Sequence, residues 1–340
     1  MRAGWLCWVL AMGLVGDATA RAIPSPSHAL GGSWVMMVSA RVESGEVDNH
    51  VARLVLDDVQ TLRGKPDAPG KLAIRTLPWT LDRVAPGDRL IVAYTQFRRD
   101  PTLQDRRILD PDGPMMLVED GLLPAMFRDN ADTRARLFDQ AGKLREPTLA
   151  EVVEGLSHDD PHWQSYYAHE LSMRTDLRAN WDRKTRTAVE ALMRDVDADP
   201  AARASLFRAA AAQQRERAAA PWWAGPALDV LRTHVTLVEA RDGDLSADFI
   251  RSVFDVLESA NVPVDAAVAA RWITCNSAAL SERALLAIRR HEPEQESALI
   301  AQALQRSLLP AESRAFLLDH QRRLQAMRDA LVLRNDTPSP

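Results

Sequence analysis

The segment "HDDPHWQSYYAHE", from His158 to Glu170, packs three histidines, two aspartates, a glutamate and three aromatics into thirteen residues. Imidazoles and carboxylates at this density could form a zinc or copper site, or an acid–base pair. A metal needs two or more ring nitrogens converging on one point, each about 2 Å from the ion. His158 and His162 have helical i,i+4 spacing, but Pro161 disfavours helix at Asp160, so the helix starts after His158 and that spacing loses its meaning. His162 and His169 fall on one face, about 20° apart in rotation, yet about 10 Å apart along the axis, too far to share an ion. Beside them run Trp163, Tyr166, Tyr167, Leu171, Leu177 and Trp181 at core-face spacing. The histidines therefore read as boundary residues with satisfied hydrogen bonds. Glu170 and Arg174 point into the same aromatic stripe four residues apart, and once buried they have to pair, which makes them a candidate structural ion pair.

Other reactive types give less. "HELSM" lacks the second histidine of a zinc-protease motif, since that position is Met173. "HEPEQE" offers one histidine, with Pro293 marking a helix start where acids favour the dipole. No glycine-rich phosphate loop, nucleophile elbow or paired-cysteine motif occurs, so no catalytic, cofactor or metal residues are assigned and no cofactor is expected. "AAPWWAGP" sets Trp222 and Trp223 between prolines, either as a hydrophobic staple fixing the next helix or as a contact patch for a protein partner.

The chain that positions these groups has 340 residues, enough for two domains, with an ordinary 46% apolar and 26% charged content. A net charge of −5 gives no general affinity for nucleic acid. Residues 1–22 combine Arg2, the apolar run Trp5–Val15 and the small-residue stretch "GDATARA", the pattern of a cleavable export signal with cleavage after Ala20 or Ala22. Eleven apolar residues are too few to cross about 30 Å of hydrocarbon, so no membrane span is expected after cleavage. Cys7 leaves with the signal. Cys275 then remains alone, without an internal disulfide partner, in "ARWITCNSAAL", where it reads as a buried structural thiol.

Residues 23–120 read as β. "WVMMVSARVE", "HVARLVLDDVQTL", "KLAIRTL" and "DRLIVAYTQF" are strand-like runs separated by Gly, Pro, Asp and Asn turns, which predicts a small antiparallel barrel or sandwich. Val51, Leu54, Leu56 and Val59 do not alternate cleanly, and a bulge near Asp57 and Asp58 reconciles them. The strand ending in "VQTLRGK", the turn "APGDR" and the apolar strand "LIVAY", within Ser33–Phe97, resemble the OB-type barrel of netrin-like (TIMP-like) modules in bacterial exported proteins. Inhibitory members of that superfamily use an N-terminal cysteine, and none follows the signal here, so the resemblance implies fold and not protease inhibition. Trp34, Trp79, Tyr94 and Phe97 are expected to fill a core or cap a loop, not to stack bases, and Arg98, Arg99, Arg106 and Arg107 to lie in a solvated loop.

Residues 121–147 read as a linker, 148–333 as an all-α domain and 334–340 as a disordered tail. Asp160 and Pro161 open a helix expected to reach Trp181, and Asp199 and Pro200 open another. About nine helices in all, with short connections, are expected, as a helical repeat or an irregular bundle. "DVDADPAARASLFRAA" resembles the start of a HEAT-like repeat unit. The expected protein is α+β with two domains, an OB-like barrel followed by a helical domain. Its expected role is that of a soluble, exported, non-enzymatic binding or assembly module of the periplasm, envelope or exterior, with a protein partner. The alternatives are a hydrolase or other enzyme with its site at the domain junction, near His162, His169 and the arginine loop, and a carbohydrate or envelope-polymer binder using the barrel face.

Overall fold

The computed structural model describes residues 24–48, 51–64, 70–76, 78–97, 113–119, 123–216, 221–235, 244–307 and 309–335. The expected export signal, both cleavage positions, the four-arginine loop and the end of the tail (336–340) lie outside them. After a short helix α1 (Pro26–Leu30) come β1 (Met36–Asp48), β2 (Val51–Arg63), β3 (Lys71–Thr76), β4 (Arg89–Phe97) and β5 (Gly113–Met116). Their order, β1-β2-β3-β5-β4 with β4 returning to β1, closes a five-stranded barrel. All neighbours are antiparallel except β3 and β5.

Alternation explains the sequence of the barrel. Val38, Ala40 and Val42 of β1, with Leu90, Val92 and Tyr94 of β4, fill its interior. The intervening Met37, Ile91 and Ala93 are buried on the opposite face, in the core shared with the helices. "LIVAY" is therefore apolar at every position because both faces of β4 are covered. The expected bulge is present: Ser39 pairs with Gln60 but Arg41 pairs with Asp57, and Asp58 has φ +48. Of the two roles expected for Trp34, filling the core is not met: it precedes β1 and is 55% exposed, with its ring beside Gly32 of the preceding turn. Tyr94 fills the barrel, while the side chains of Trp79 and Phe97 lie outside the described residues.

The segment expected to be a linker is structured. The hairpin β6 (Val118–Glu119) and β7 (Leu123–Pro124) is followed by β8 (Met126–Arg128) and α2 (Ala131–Leu137). Strand β8 pairs with Leu90–Val92 of β4, continuing the edge that β5 occupies further along. Asp129 holds this turn in place: it accepts bonds of 2.6 and 2.8 Å from Arg134 and one from Ser39. Those bonds keep its carboxyl below the usual range.

The second domain is all-helical: α3 (Leu149–Gly155), α4 (Pro161–Met173), α5 (Thr175–Ala179), α6 (Arg183–Arg194), α7 (Pro200–Glu216), α8 (Ala224–Thr233), α9 (Leu245–Ser259), α10 (Ala266–Ala269), α11 (Ala278–His291), α12 (Glu296–Leu304) and α13 (Ala311–Asn335). Pairs α3/α4, α6/α7, α8/α9, α10/α11 and α12/α13 pack as hairpins, and α4, α7, α9, α11 and α13 stack in that order, a helical-repeat arrangement. Side chains of Thr148, Asp160, Asp182, Asp244, Asp265 and Ser277 cap helix N-termini. Arginines take the carbonyls at the other ends: Arg178 those of Leu171 and Ser172, Arg203 that of Met193, Arg271 that of Leu231 and Arg314 that of Leu304. The helix expected over residues 161–181 breaks at Arg174, which is extended (φ −95, ψ 108). The Arg178 guanidinium on the α4 carbonyls makes that early stop favourable.

Candidate functional site

Helix α4 lies between the two domains, and its aromatic stripe is buried as the spacing predicts. Phe127 of β8 reaches from the barrel into this stripe, 4.9 Å from Trp163 and edge-on to His162 at 4.8 Å between ring centroids. Sequence reasoning missed Phe127 because it sits in the presumed linker. The signal that could have found it is the apolar pair Met126-Phe127 set between loop residues.

At this junction a cleft of about 680 Å³ opens. Val84, Leu90, Met126 and Phe127 with Arg83 and Arg128 form its barrel side, and Asp159, Asp160, Pro161, His162 and Trp163 its helical side, with Asp132 and His158 also lining it. Asp159, Asp160, His158 and His162 of the opening motif meet here with Asp132, whereas His169 and Glu170 do not. His158 accepts the Asp160 N–H at Nδ1 (2.9 Å), which leaves its proton on Nε2, 3.5 Å from Asp132. Asp132 is further held by Arg136 at 2.7 Å. His162 is buried and its Nε2 has no hydrogen-bond partner. Burial lowers its pKa to about 4, against the opposing pull of Asp160, so the ring is neutral.

His169 is buried further along α4. Its Nδ1 lies 2.8 Å from the Ser165 carbonyl, to which it donates, and Ser205 of α7 lies 3.3 Å from Nε2. Burial lowers its pKa to about 4 as well. The rings are separate, and among the described residues no group of three or more His, Cys, Asp or Glu is placed to hold a metal ion. Cys275 is buried, its thiol 3.4 Å from the Ser277 carbonyl.

Glu170 is wholly buried and Arg174 approaches its Oε2 at 3.5 Å, a charge contact looser than a hydrogen bond. Its other oxygen accepts the Ser27 N–H at the start of α1, a partner 143 residues distant that helical spacing could not reveal. Burial pushes the Glu170 carboxyl above its usual range. Arg174 also donates to the Pro147 carbonyl at 2.9 Å and grips Asp176 at 2.7 and 3.2 Å. Replacing Arg174 with Met is expected to cost about 1–2 kcal/mol at pH 8, by leaving the buried carboxylate of Glu170 without its compensating charge, and less at pH 5, since a raised pKa moves Glu170 towards its neutral form as pH falls. Denaturant midpoints at the two pH values check this, and unchanged stability at pH 8 would show that the pair contributes nothing.

Trp223 is fully buried and so presents no surface to a partner. Trp222 is half-buried, 6.2 Å from the Trp181 ring, and alone of the pair keeps an exposed edge. Comparison with known protein families, with curated proteins and with solved structures found no match to this chain.

Proposed function

We propose that this protein is an exported, non-enzymatic binding module of the periplasm or cell envelope, and that the junction cleft is where it takes its ligand. The observation that carries the reading is the cleft itself: a concave site of ligand size at a domain interface, with an aromatic wall and a few convergent polar groups. Kinship of the barrel with netrin-like modules, and of the helical stack with HEAT-like repeats, belongs to the same proposal. The barrel order and the paired helices support it. So does the N-terminal pattern for export.

Its test is capture from an envelope fraction by the full chain and by Val84→Trp, which places a large ring at a residue lining the cleft. A partner retained by the wild type and lost with the variant supports the reading, and equal retention by both overturns it. The alternative, a hydrolase at this junction, draws on His162, whose unpartnered Nε2 could act as a base. Its low pKa makes it a weak one. Stoichiometric zinc in the purified protein would favour that alternative.

A further inference from the structure

We infer that the cleft ligand is a short peptide with both ends free, bound as a zwitterion; this rests on the cleft being the binding site. The charges at its rim are sorted by domain. Arg83 and Arg128 come from the barrel side, and Asp159 and Asp160 from the loop that opens α4. Some of this charge is already committed. Asp160 caps α4 through the His162 N–H, and Asp132 is neutralised by Arg136. Arg128 and Asp159 are exposed and have no ion-pair or hydrogen-bond partner among the described residues, one on each rim. A simple anion gains at Arg128 and is repelled at Asp159, and a simple cation meets the reverse. Only a ligand with separated opposite charges gains at both, and more strongly across a low-dielectric wall than in open water.

The space between the rims also fits a peptide. A volume of about 680 Å³ lies within the range of small-ligand sites and exceeds what a single amino acid fills. The lining there is apolar, from Leu90, Met126, Phe127 and Trp163, which suits a side chain. His162 adds a neutral imidazole that can donate to, or accept from, a peptide amide, and its buried Nε2 has no partner within the protein. An orphaned polar atom in such a position is costly unless a ligand or water meets it.

The test is calorimetric titration of the full chain with the tripeptide Ala-Phe-Ala, free at both ends, and with its N-acetylated, C-amidated and doubly blocked forms. The free peptide is expected to bind, and each block to weaken binding by about tenfold. Arg128→Gln should remove the sensitivity to amidation and leave that to acetylation, with Asp159→Asn doing the converse. Equal binding of free and doubly blocked peptides, or charge variants that change neither preference, overturns the zwitterion assignment. Absence of binding by every form overturns it too. In each case loss of envelope capture by Val84→Trp still stands or falls separately, so a wrong ligand class is distinguishable from a wrong site.

Discussion

Acidification from pH 7 towards pH 4 is expected to destabilise the protein by several kcal/mol, through two buried histidines on one helix. His162 and His169 have pKa values lowered to about 4 by burial, against about 6.5 in an unfolded chain. Between those values the unfolded chain binds more protons than the native one, so stability rises with pH across that window. It is fully present above about pH 6.5 and is lost as pH falls towards 4. Each ring corresponds to about 3 kcal/mol at most, against total stabilities of about 5–15 kcal/mol. The groups facing them are Asp160, Asp199 and Arg83 around His162, and Asp199 and Arg208 around His169. The aspartates favour the imidazolium, but burial outweighs them. Glu170 acts in the opposite sense: its raised pKa stabilises the fold as pH falls towards the unfolded value, so the net loss is smaller than the two histidines alone would give. His162→Phe separates the contributions, since Nε2 makes no hydrogen bond that phenylalanine would forfeit. Its denaturant midpoint should match or exceed wild type at pH 7.5 and fall less steeply to pH 4.5. A wild-type midpoint that is flat over this range would show that these rings are not held neutral.

Gly155→Ala is expected to cost about 3 kcal/mol or more, although it adds one methyl group at a helix end. A Cβ at Gly155 would lie 2.0 Å from Cδ2 and 2.2 Å from Cε2 of Tyr167, inside any real contact distance. The ring cannot retreat. It stacks on Trp163 at 5.6 Å, meets Tyr166 edge-on at 5.3 Å and has the Arg136 guanidinium 3.4 Å from its hydroxyl. Helix α3 would have to lift from α4, opening the first layer of the helical stack beside the cleft. Thermal unfolding with near-ultraviolet circular dichroism reports the loss, and Gly155→Ala combined with Tyr167→Leu should recover part of it. Stability within about 0.5 kcal/mol of wild type would mean that α3 is not seated as described.

Legibility in the sequence followed the range of the interaction. The bulge at Asp58 showed as a break in alternation, and the caps at Asp160 and Asp199 as Asp-Pro steps. The aromatic stripe of α4 showed as helical spacing, because each signal involves residues within a turn or two of one another. The helix break at Arg174 was not legible, because the side chain that takes the α4 carbonyls belongs to Arg178 in the next element. Nor was the role of residues 126–137, whose short strand makes sense only beside β4.

The candidate site divides the same way. That His158, His162 and the neighbouring acids cluster is a property of the sequence, as is the inability of His162 and His169 to share an ion. That His162 faces a cleft while His169 faces Ser205 was decided by which elements pack on either end of α4. Glu170 is the sharpest case. Local spacing paired it with Arg174, and that contact exists, but its hydrogen bond comes from the Ser27 amide, brought there by the packing of α1 against α4. Sequence by itself determined two domains, their element types and the buried face of α4, since periodicity and capping are local. Tertiary structure alone decided the cleft and the partners of buried charges, since a desolvated group takes whichever donor the fold carries to it.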